Sequence, residues 1–274
     1  QAKSRPRFDP LIVHVPDADA VERVAIIDTA IRPIFERLHK QFWPGPLTFI
    51  FPRRASIPDL VAAGLDTVAV RFSAHPIFSE VIRLFGGPLA APSANRFGRI
   101  SPTTAAHVRE ELDGLVPLIV DGGPTVHGLE STIIAVRNGR IEILRRGPVT
   151  EEQLAEFGET AVVGPSSHPE APGQLPSHYA PRTQLVVVDD SAEFICPAGK
   201  RCGLLAWKRP ERDQFAEVRR LSKQWDMAEA ATNLFRYLRE LDAQGLDLIV
   251  AEKLPDRGLG AAINDRLSRA ETKL

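Results

Sequence analysis

A segment dense in proline, VGPSSHPEAPGQLPSHYAP from residue 163, limits how this chain can fold. It holds five prolines and two glycines, and its apolar residues recur at neither helical nor strand spacing. Proline fixes φ and lacks an N–H, so such a stretch does not continue a helix or a central strand. The sequence therefore predicts a stiff linker over 163–183 that separates two folded domains, 1–162 and 184–274.

Short apolar runs alternate with amphipathic segments before this linker. The runs PLIVHV, LTFIF, TVAVRF, PLAAPSAN, PLIVDGG, STIIAV and IEILRRG predict strands. HPIFSEVIRLFG and TEEQLAEF predict helices, and SPTTAAHVREELDG predicts a helix capped by Ser101 with Pro102 in its first turn. The pattern predicts an α/β domain built on a sheet of mixed or partly parallel strands.

The pattern starts again after the linker, where QLVVVD, RCGLLAW and LDLIVAE predict strands. Helices are predicted near 226–243 and from about residue 259. This alternation predicts a smaller, three-layer α/β domain with a parallel sheet. The region shows no cluster of catalytic or metal-binding residues, so we expect it to support the placement of the linker.

Composition excludes several functional classes. The 274 residues have a net charge of −1, so no overall field favours nucleic acid or anionic lipid, and any anion site must be local. No apolar run approaches the roughly 18 residues that a membrane span requires. Cys196 and Cys202 are predicted to be reduced thiols, and the cytoplasm is the default location.

Cationic residues open the chain and recur on a later strand. Lys3 and Arg5 precede the strand that ends at His14, and they form either a solvated loop or a clamp for phosphate or carboxylate. A histidine in that position is, on its own, more typical of a structural role. Arg71 shares a strand face with Thr67, and if buried it needs an anion, either a substrate carboxylate or an ordinary salt bridge.

Short polar residues follow a predicted strand in APSANRFGRISPT. Ser93 and Asn95 stand where open α/β sheets bind ligands, and a helix capped by Ser101 would direct its first N–H groups toward an anion. Ser131 and Arg145 are weak signals taken separately. The sequence has no P-loop, no G-x-G-x-x-G after a strand, no H-E-x-x-H and no G-x-S-x-G. A site without an evident nucleophile suits a reaction between two bound substrates, promoted by their positioning.

Several ordered segments resemble one known family. KSRPRFDPLIVHV, FWPGPLTFIF, APSANRFGRISPT, GLESTII, ILRRG, APGQLPSHYAP and GLGAAINDRLSRA are similar to the long, two-domain threonylcarbamoyl-AMP synthases. The resemblance implies a YrdC-like domain followed by a smaller Rossmann-like domain. It also implies condensation of L-threonine, bicarbonate and ATP, with Mg²⁺, to threonylcarbamoyl-AMP and pyrophosphate. The product would pass to the transferase machinery that modifies tRNA adenosine 37.

The resemblance implies roles for particular residues and no protein ligand for a metal. Lys3 and Arg5 would be catalytic. The nucleotide site would be lined by Arg5, Asp9, Thr67, Ser93, Asn95, Ser101, Arg145 and Tyr179. The threonine pocket would be lined by His14, Arg71, Ala91 and Ser131.

Two departures from the family pattern bear on the site. Family members begin with a strand–helix segment containing a Thr-x-x-Tyr-Gly-Leu type stretch, and this sequence starts after it, which implies an incomplete catalytic domain and one lost threonine contact. Asp9 stands where the family usually has asparagine. An acid beside phosphates is repulsive unless it helps to hold Mg²⁺ or pairs with Arg5 or Arg7.

Two other functions are compatible with parts of the sequence. An RNA-binding module would use the basic chain start, but the first domain lacks aromatic residues interleaved with basic ones, so only weak RNA binding is expected. A carbamoyl-group enzyme of hydrogenase maturation would share the YrdC-like unit, but its acylphosphatase and zinc-finger regions do not occur here.

Overall fold

The computed structural model describes residues 2–164, 169–175, 178–208 and 214–271. The chain forms two compact units. The mixed-sheet unit comprises Arg5–Ser93 and Glu130–Pro176, and the parallel-sheet unit comprises Gln1–Ser4, Ala94–Leu129 and Ser177–Leu274. The predicted domain limits stay a prediction, and residues 165–168 and 176–177 of the predicted linker lie outside the described residues.

Seven strands form the sheet of the mixed-sheet unit. They are β1 (Ile12–His14), β2 (Leu47–Pro52), β3 (Thr67–Arg71), β4 (Leu89–Ala91), β5 (Thr132–Arg137), β6 (Arg140–Arg145) and β7 (Thr160–Val162). Their order is β4-β1-β3-β2-β5-β6-β7. The β1–β3, β2–β5 and β6–β7 pairs are parallel and the others antiparallel, so the predicted mixed sheet is confirmed.

Helices cover this sheet where apolar residues recur at helical spacing. They are α1 (Arg32–Phe42), α2 (Asp59–Ala62), α3 (Pro76–Phe85) and α5 (Glu151–Ala155), with a 3₁₀ helix at Asp19–Arg23. Phe35 of α1 packs edge-on against Phe49 of β2, with ring centroids 5.1 Å apart. Burial of an aromatic side chain of this size stabilises the fold by about 2 kcal/mol.

The described residues of the parallel-sheet unit form four strands and three helices. The strands are β8 (Gln184–Val188), β9 (Cys202–Ala206), β10 (Glu217–Arg220) and β11 (Leu248–Glu252). Their order is β10-β9-β11-β8 and every pair is parallel, which confirms the predicted α/β class with a small parallel sheet. The helices are α4 (Ala105–Leu112), α6 (Met227–Asp242) and α7 (Gly258–Ala270).

Two local predictions are wrong. Ser101 does not cap a helix, because α4 begins at Ala105 and the Thr104 side chain accepts the hydrogen bond from the His107 N–H at 3.3 Å. Ser101 is buried instead. The run PLIVDGG forms no strand, and its apolar residues Leu118 and Val120 are exposed.

The prediction for the two cysteines agrees with the structure. Cys196 and Cys202 are free thiols, as predicted. Among the described residues, none of the helices combines the length and the apolar character needed to cross a membrane.

Candidate active site

The register of β1 and β3 brings two predicted residues together. His14 at the end of β1 pairs with Arg71 at the end of β3, so both side chains lie on one face of the sheet. Arg145 ends β6 in the same unit, and it is near enough to Arg71 for the two charges to repel each other. The sheet thus gathers cations from separate parts of the sequence.

The Arg71 guanidinium is positioned by backbone. Its Nε donates to the Gly45 carbonyl oxygen at 2.9 Å. Burial first, and Arg145 second, lower the pKa of Arg71 to about 10, so the side chain stays charged at neutral pH. In the described part of the chain Arg71 has no carboxylate partner, and this favours the substrate-carboxylate alternative over the internal salt bridge.

His14 is a neutral imidazole in this setting. Burial and, secondly, the charge of Arg71 lower the pKa of His14 to about 3. Its ring meets that of Phe78 edge-on, with centroids 4.8 Å apart. Its Nδ1 is buried and has no hydrogen-bond partner among the residues described. A nitrogen of a neutral imidazole accepts or donates a hydrogen bond to a bound substrate, according to the tautomer, but the ring does not take up a second proton at neutral pH.

Arg145 and Ser131 form a buried polar group. Nε and Nη2 of Arg145 donate to the Ser131 carbonyl oxygen at 3.0 and 2.9 Å, and Nη2 also donates to Ser131 Oγ at 3.0 Å. Nη1 donates to the Pro172 carbonyl oxygen at 3.2 Å. These bonds fix Arg145 directly against the Ser131 that the resemblance assigns to the threonine pocket.

Arg5 and Asp9 pair with each other near the start of the chain. Arg5 Nη2 lies 2.7 Å from Asp9 Oδ2, and Arg5 also donates to the carbonyl oxygens of Asp9 and Pro10 at 3.3 and 2.8 Å. Burial lowers the pKa of Arg5, and the Asp9 carboxylate partly offsets this. Of the alternatives that the sequence left open for Asp9, the structure favours the pair with Arg5.

The remaining predicted residues of the mixed-sheet unit lie at strand ends. Thr67 begins β3, Ala91 ends β4 and pairs with Ile12, and Ser93 follows two residues later. All three predicted residues are partly exposed. Their assignment to the nucleotide and threonine sites stays a prediction.

Three other predicted residues, Lys3, Asn95 and Ser101, belong to the parallel-sheet unit. The Lys3 carbonyl oxygen accepts from the Phe97 N–H at 3.0 Å. Asn95 Nδ2 donates to the carbonyl oxygens of Arg96 and Arg99, at 2.9 and 3.0 Å, and so fixes the turn between them. Asn95 Oδ1 is buried and, among the described residues, has no hydrogen-bond partner.

Tyr179 lies in the core of the parallel-sheet unit. Its ring stacks on Phe235 at 5.4 Å between centroids, and the Arg266 guanidinium lies 5.2 Å from its centre. The side chain is 1% exposed. The predicted contact between Tyr179 and the nucleotide therefore requires the ring to leave this position.

A cavity of about 460 Å³ also lies in the parallel-sheet unit. It is lined by Arg96, Arg99, Ile100, Glu110, Glu111, Ala180, Arg182, Arg239, Asp242 and Ala243. Arg239 contacts both Glu110 and Glu111, and Asp242 accepts the Arg182 N–H at 3.1 Å. Arg239 is thus paired with carboxylates of its own unit, unlike Arg71.

The described residues do not form a metal site. They include no group of three or more histidine, cysteine, aspartate or glutamate side chains that could hold an ion. Asp9 is the one carboxylate among the predicted site residues, and its Oδ2 is already paired with Arg5. A resident Mg²⁺ does not fit these residues.

Sequence reasoning missed two residues of the segment FWPGPLTFIF. Gly45 supplies the carbonyl that positions Arg71, and Thr48 Oγ1 lies 2.7 Å from Ser131 Oγ. The segment itself was the only signal, because it was among those that carry the family resemblance.

Comparisons with known proteins cover nearly the whole chain. Residues 1–147 match the Sua5, YciO and YrdC family, described as telomere recombination, and residues 149–271 match the threonylcarbamoyl-AMP synthase C-terminal domain. The chain is 37% identical over 287 residues to the threonylcarbamoyl-AMP synthase of Pyrococcus abyssi, covering 98% of this chain and 82% of that protein. It is 38% identical over 290 residues to the Bacillus subtilis enzyme of that name, covering 98% and 81%.

A solved structure gives the same result. The crystal structure of P. abyssi Sua5 complexed with L-threonine superposes with a TM-score of 0.87 at 36% identity, covering 98% of this chain and 82% of that one. That protein binds L-threonine. The chain described here therefore belongs to the threonylcarbamoyl-AMP synthase family.

Proposed function

We propose that the residues around Arg71 bind the L-threonine substrate of a threonylcarbamoyl-AMP synthase. The chain is an enzyme of this type, which condenses L-threonine, bicarbonate and ATP to threonylcarbamoyl-AMP and pyrophosphate for the modification of tRNA. The observation that supports the role of Arg71 is a charged, largely buried guanidinium without a carboxylate partner among the described residues. The threonine carboxylate would supply the missing anion through charge-assisted hydrogen bonds.

His14, Ala91 and Ser131 would complete the threonine pocket. The neutral His14 imidazole offers the substrate a hydrogen-bonding nitrogen without adding a second positive charge beside Arg71. A protonated histidine at this position would repel the threonine ammonium group. The low pKa of His14 therefore suits the binding of an amino acid that carries both charges.

ATP would be bound by the residues that the resemblance assigns to it. In the reaction, the threonine amine adds to CO₂ with loss of a proton, or to bicarbonate with loss of water, to give a carbamate. A carbamate oxygen then attacks the α-phosphorus of ATP, and the bond from that phosphorus to the bridging oxygen breaks as pyrophosphate leaves. Negative charge accumulates on phosphate oxygens, which Lys3, Arg5 and Arg145 would stabilise. The other proposed nucleotide contacts are Asp9, Thr67, Ser93, Asn95, Ser101 and Tyr179.

Mg²⁺ would be part of the nucleotide substrate. Because Mg²⁺ is commonly held by substrate phosphates and water with few protein ligands, the shortage of carboxylates does not oppose binding of the Mg²⁺–ATP complex. Because Asp9 is paired with Arg5, its carboxylate would repel the phosphates less, and the Arg5 guanidinium would be the group that contacts them.

The parallel-sheet unit would hold the end of the proline-rich segment in place. Asp242 of α6 accepts from the N–H groups of Arg182 and Thr183 at 3.1 and 2.7 Å, and the His178 N–H donates to the Arg269 carbonyl oxygen at 3.0 Å. We also propose that the product passes to the tRNA transferase machinery, that direct RNA binding is weak, and that the protein is cytoplasmic.

The test is pyrophosphate release by the purified protein with ATP, bicarbonate and Mg²⁺, with and without L-threonine. We expect release to depend on L-threonine and to fall sharply when L-valine replaces it, since valine has the same shape but lacks the hydroxyl. Release that does not depend on threonine would refute the proposal. Salt-dependent binding of tRNA at micromolar protein, without threonine-dependent release, would favour the RNA-binding alternative instead.

A further inference from the structure

The hydroxyl of Thr48 lies behind the proposed threonine pocket and contacts Ser131. Thr48 is the second residue of β2, and it pairs with Ile133 of β5, two residues after Ser131. Its Oγ1 is 2.7 Å from Ser131 Oγ. Thr48 is 0% exposed and Ser131 is 2% exposed, so both hydroxyls are buried, and Ser131 is the one that the proposed function assigns to the threonine pocket.

The donor and acceptor capacities of the two hydroxyls, together with the assignment of Ser131 to the pocket, indicate which one donates. Arginine has no acceptor, so the 3.0 Å contact from Arg145 Nη2 uses one lone pair of Ser131 Oγ. If Ser131 donated to Thr48, the Thr48 proton would be left without an acceptor among the described residues. A buried, unsatisfied hydroxyl donor costs about 1–3 kcal/mol.

The opposite orientation satisfies Thr48. When Thr48 donates to Ser131, the Ser131 oxygen accepts from both Thr48 and Arg145, and its own proton is left for a third group. The described residues include no acceptor for that proton. A substrate in the pocket would supply one.

We propose that Thr48 is a positioning residue for threonine binding: its hydroxyl donates to Ser131 and thereby directs the Ser131 O–H at an acceptor atom of the bound threonine. This inference rests on the proposed function, because the placement of Ser131 in the threonine pocket comes from it. Thr48 itself touches neither substrate.

The backbone around Ser131 is held independently of Thr48. The Thr132 N–H donates to the Pro46 carbonyl oxygen at 2.9 Å, and Thr132 Oγ1 donates to the Val149 carbonyl oxygen at 2.6 Å. A Cβ on Gly147 would lie only 2.5 Å from the Glu130 carbonyl oxygen, so the chain passes tightly against this segment. Removal of the Thr48 hydroxyl should therefore release the Ser131 hydroxyl without moving its backbone.

The test compares Thr48→Val, Thr48→Ser, Ser131→Ala and the double variant Thr48→Val/Ser131→Ala in the threonine-dependent assay. We expect Thr48→Val to raise KM for threonine about fivefold to tenfold with KM for ATP nearly unchanged, the effect of one hydrogen bond. Thr48→Ser should restore KM to within about twofold of the wild type. In the Ser131→Ala background, Thr48→Val should have no further effect, because the two residues act through one contact.

One control and three possible results separate the outcomes. Thr103→Val is the matched control, since Thr103 is also a buried threonine with a bonded hydroxyl, 3.2 Å from His107 Nδ1, and it should leave KM for threonine unchanged. A Thr48→Val protein that melts at a lower temperature but keeps the wild-type KM would overturn the inference, as would full additivity with Ser131→Ala. Wild-type protein without threonine-dependent release would instead refute the proposed function.

Discussion

Glu252 and Arg71 are charged residues at the carboxyl ends of inner strands, β11 in one sheet and β3 in the other. They differ in whether the protein supplies hydrogen-bond or ion-pair partners for the charge. The Glu252 carboxylate is 0% exposed and accepts from the backbone N–H groups of Ser191, Trp207 and Lys208 at 3.0, 2.8 and 2.7 Å. Arg71 is bonded to a neutral carbonyl, and the described residues offer it no carboxylate. The parallel-sheet unit thus has an anion of its own at this position, whereas Arg71 of the mixed-sheet unit would need an anion from a bound ligand.

The difference shows why a Rossmann-like fold does not by itself indicate a nucleotide site. Open parallel sheets bind ligands at the carboxyl ends of their strands, often with backbone N–H groups directed at a phosphate. Here those N–H groups follow β8 and β9, and Glu252 already occupies them. A phosphate at this edge would meet a buried carboxylate. The fold is that of a nucleotide-binding domain, but the Glu252 carboxylate occupies the position of the anion. Function therefore has to be argued from side chains and not from the fold.

Replacement of Arg71 tests the comparison most strongly. We expect Arg71→Met to lower kcat/KM for threonine about 100-fold or more, because the buried substrate carboxylate would lose its charged partner. KM for ATP should change much less. The measurement is the steady-state rate of pyrophosphate release at varied threonine and at varied ATP.

An exposed arginine provides the control for this variant. Arg83 on α3 pairs with Glu80 at the surface, so Arg83→Met should leave both constants unchanged. If Arg71→Met bound threonine as well as the wild type does, Arg71 would be an ordinary structural cation, and the two sheets would not differ as described.

Replacement of Glu252 tests the other side of the comparison. Glu252→Gln keeps an oxygen acceptor but removes the charge and introduces an N–H₂ group among three N–H donors. We expect the free energy of unfolding to fall by about 2 kcal/mol, measured by urea denaturation. Glu193 in the same unit is exposed, and Glu193→Gln should have no comparable effect. Equal stability of the two variants would show that the carboxylate does not hold this edge of the sheet together.

The strands that consist of apolar runs could be predicted from the sequence, and so could the site residues that lie on them. The strands containing His14, Arg71 and Arg145 were predicted, because buried strands are continuous in apolar residues and their side chains alternate between faces. In contrast, β10 reads EVRR, with one apolar residue in four, and it forms because its residues pair with β9. Such a strand is stabilised by pairing with its neighbour, and its own residue pattern gives no signal that predicts it.

The parts of the site that the sequence did not predict depend on contacts between distant residues. Thr48 meets Ser131 only because β2 and β5 pair in one particular register, and Gly45 meets Arg71 through a loop carbonyl. The cap of α4 was placed at Ser101 because Pro102 follows it, a pattern typical of a helix start, but Thr103 and Thr104 can also cap a helix. Local sequence does not choose among them, and the structure has Thr104 as the cap.

Replacement of His14 tests how burial and the neighbouring Arg71 affect stability. Burial and Arg71 lower the pKa of His14 to about 3, against an ordinary 6.5 in the unfolded chain. Between these values the unfolded state binds a proton that the folded state does not, so stability falls as the pH drops from 6.5 toward 3. At pH 5 the loss amounts to about 2 kcal/mol.

His14→Gln removes this titration and keeps a polar side chain. Urea denaturation at pH 7.5 and at pH 5 should show the wild type losing about 2 kcal/mol more than the variant over that interval. Parallel losses in the two proteins would mean that His14 titrates normally. In that case neither burial nor an uncompensated Arg71 charge would act on the imidazole, contrary to the difference drawn between the two sheets.

Replacement of Asp9 has the smallest expected effect. It tests whether Asp9, the one acid of the proposed nucleotide site, contributes to ATP binding. In Asp9→Asn the amide oxygen can still accept from Arg5, which is also held by the carbonyl oxygens of Asp9 and Pro10. We therefore expect KM for ATP to change by less than about threefold, the effect of weakening one hydrogen bond, with the same dependence on Mg²⁺ as the wild type. Asp66→Asn, on an exposed aspartate of the same unit, is the control. A loss of more than about tenfold that high Mg²⁺ reverses would make Asp9 a ligand of the nucleotide-bound ion, and its pairing with Arg5 would then be the alternative state of the carboxylate.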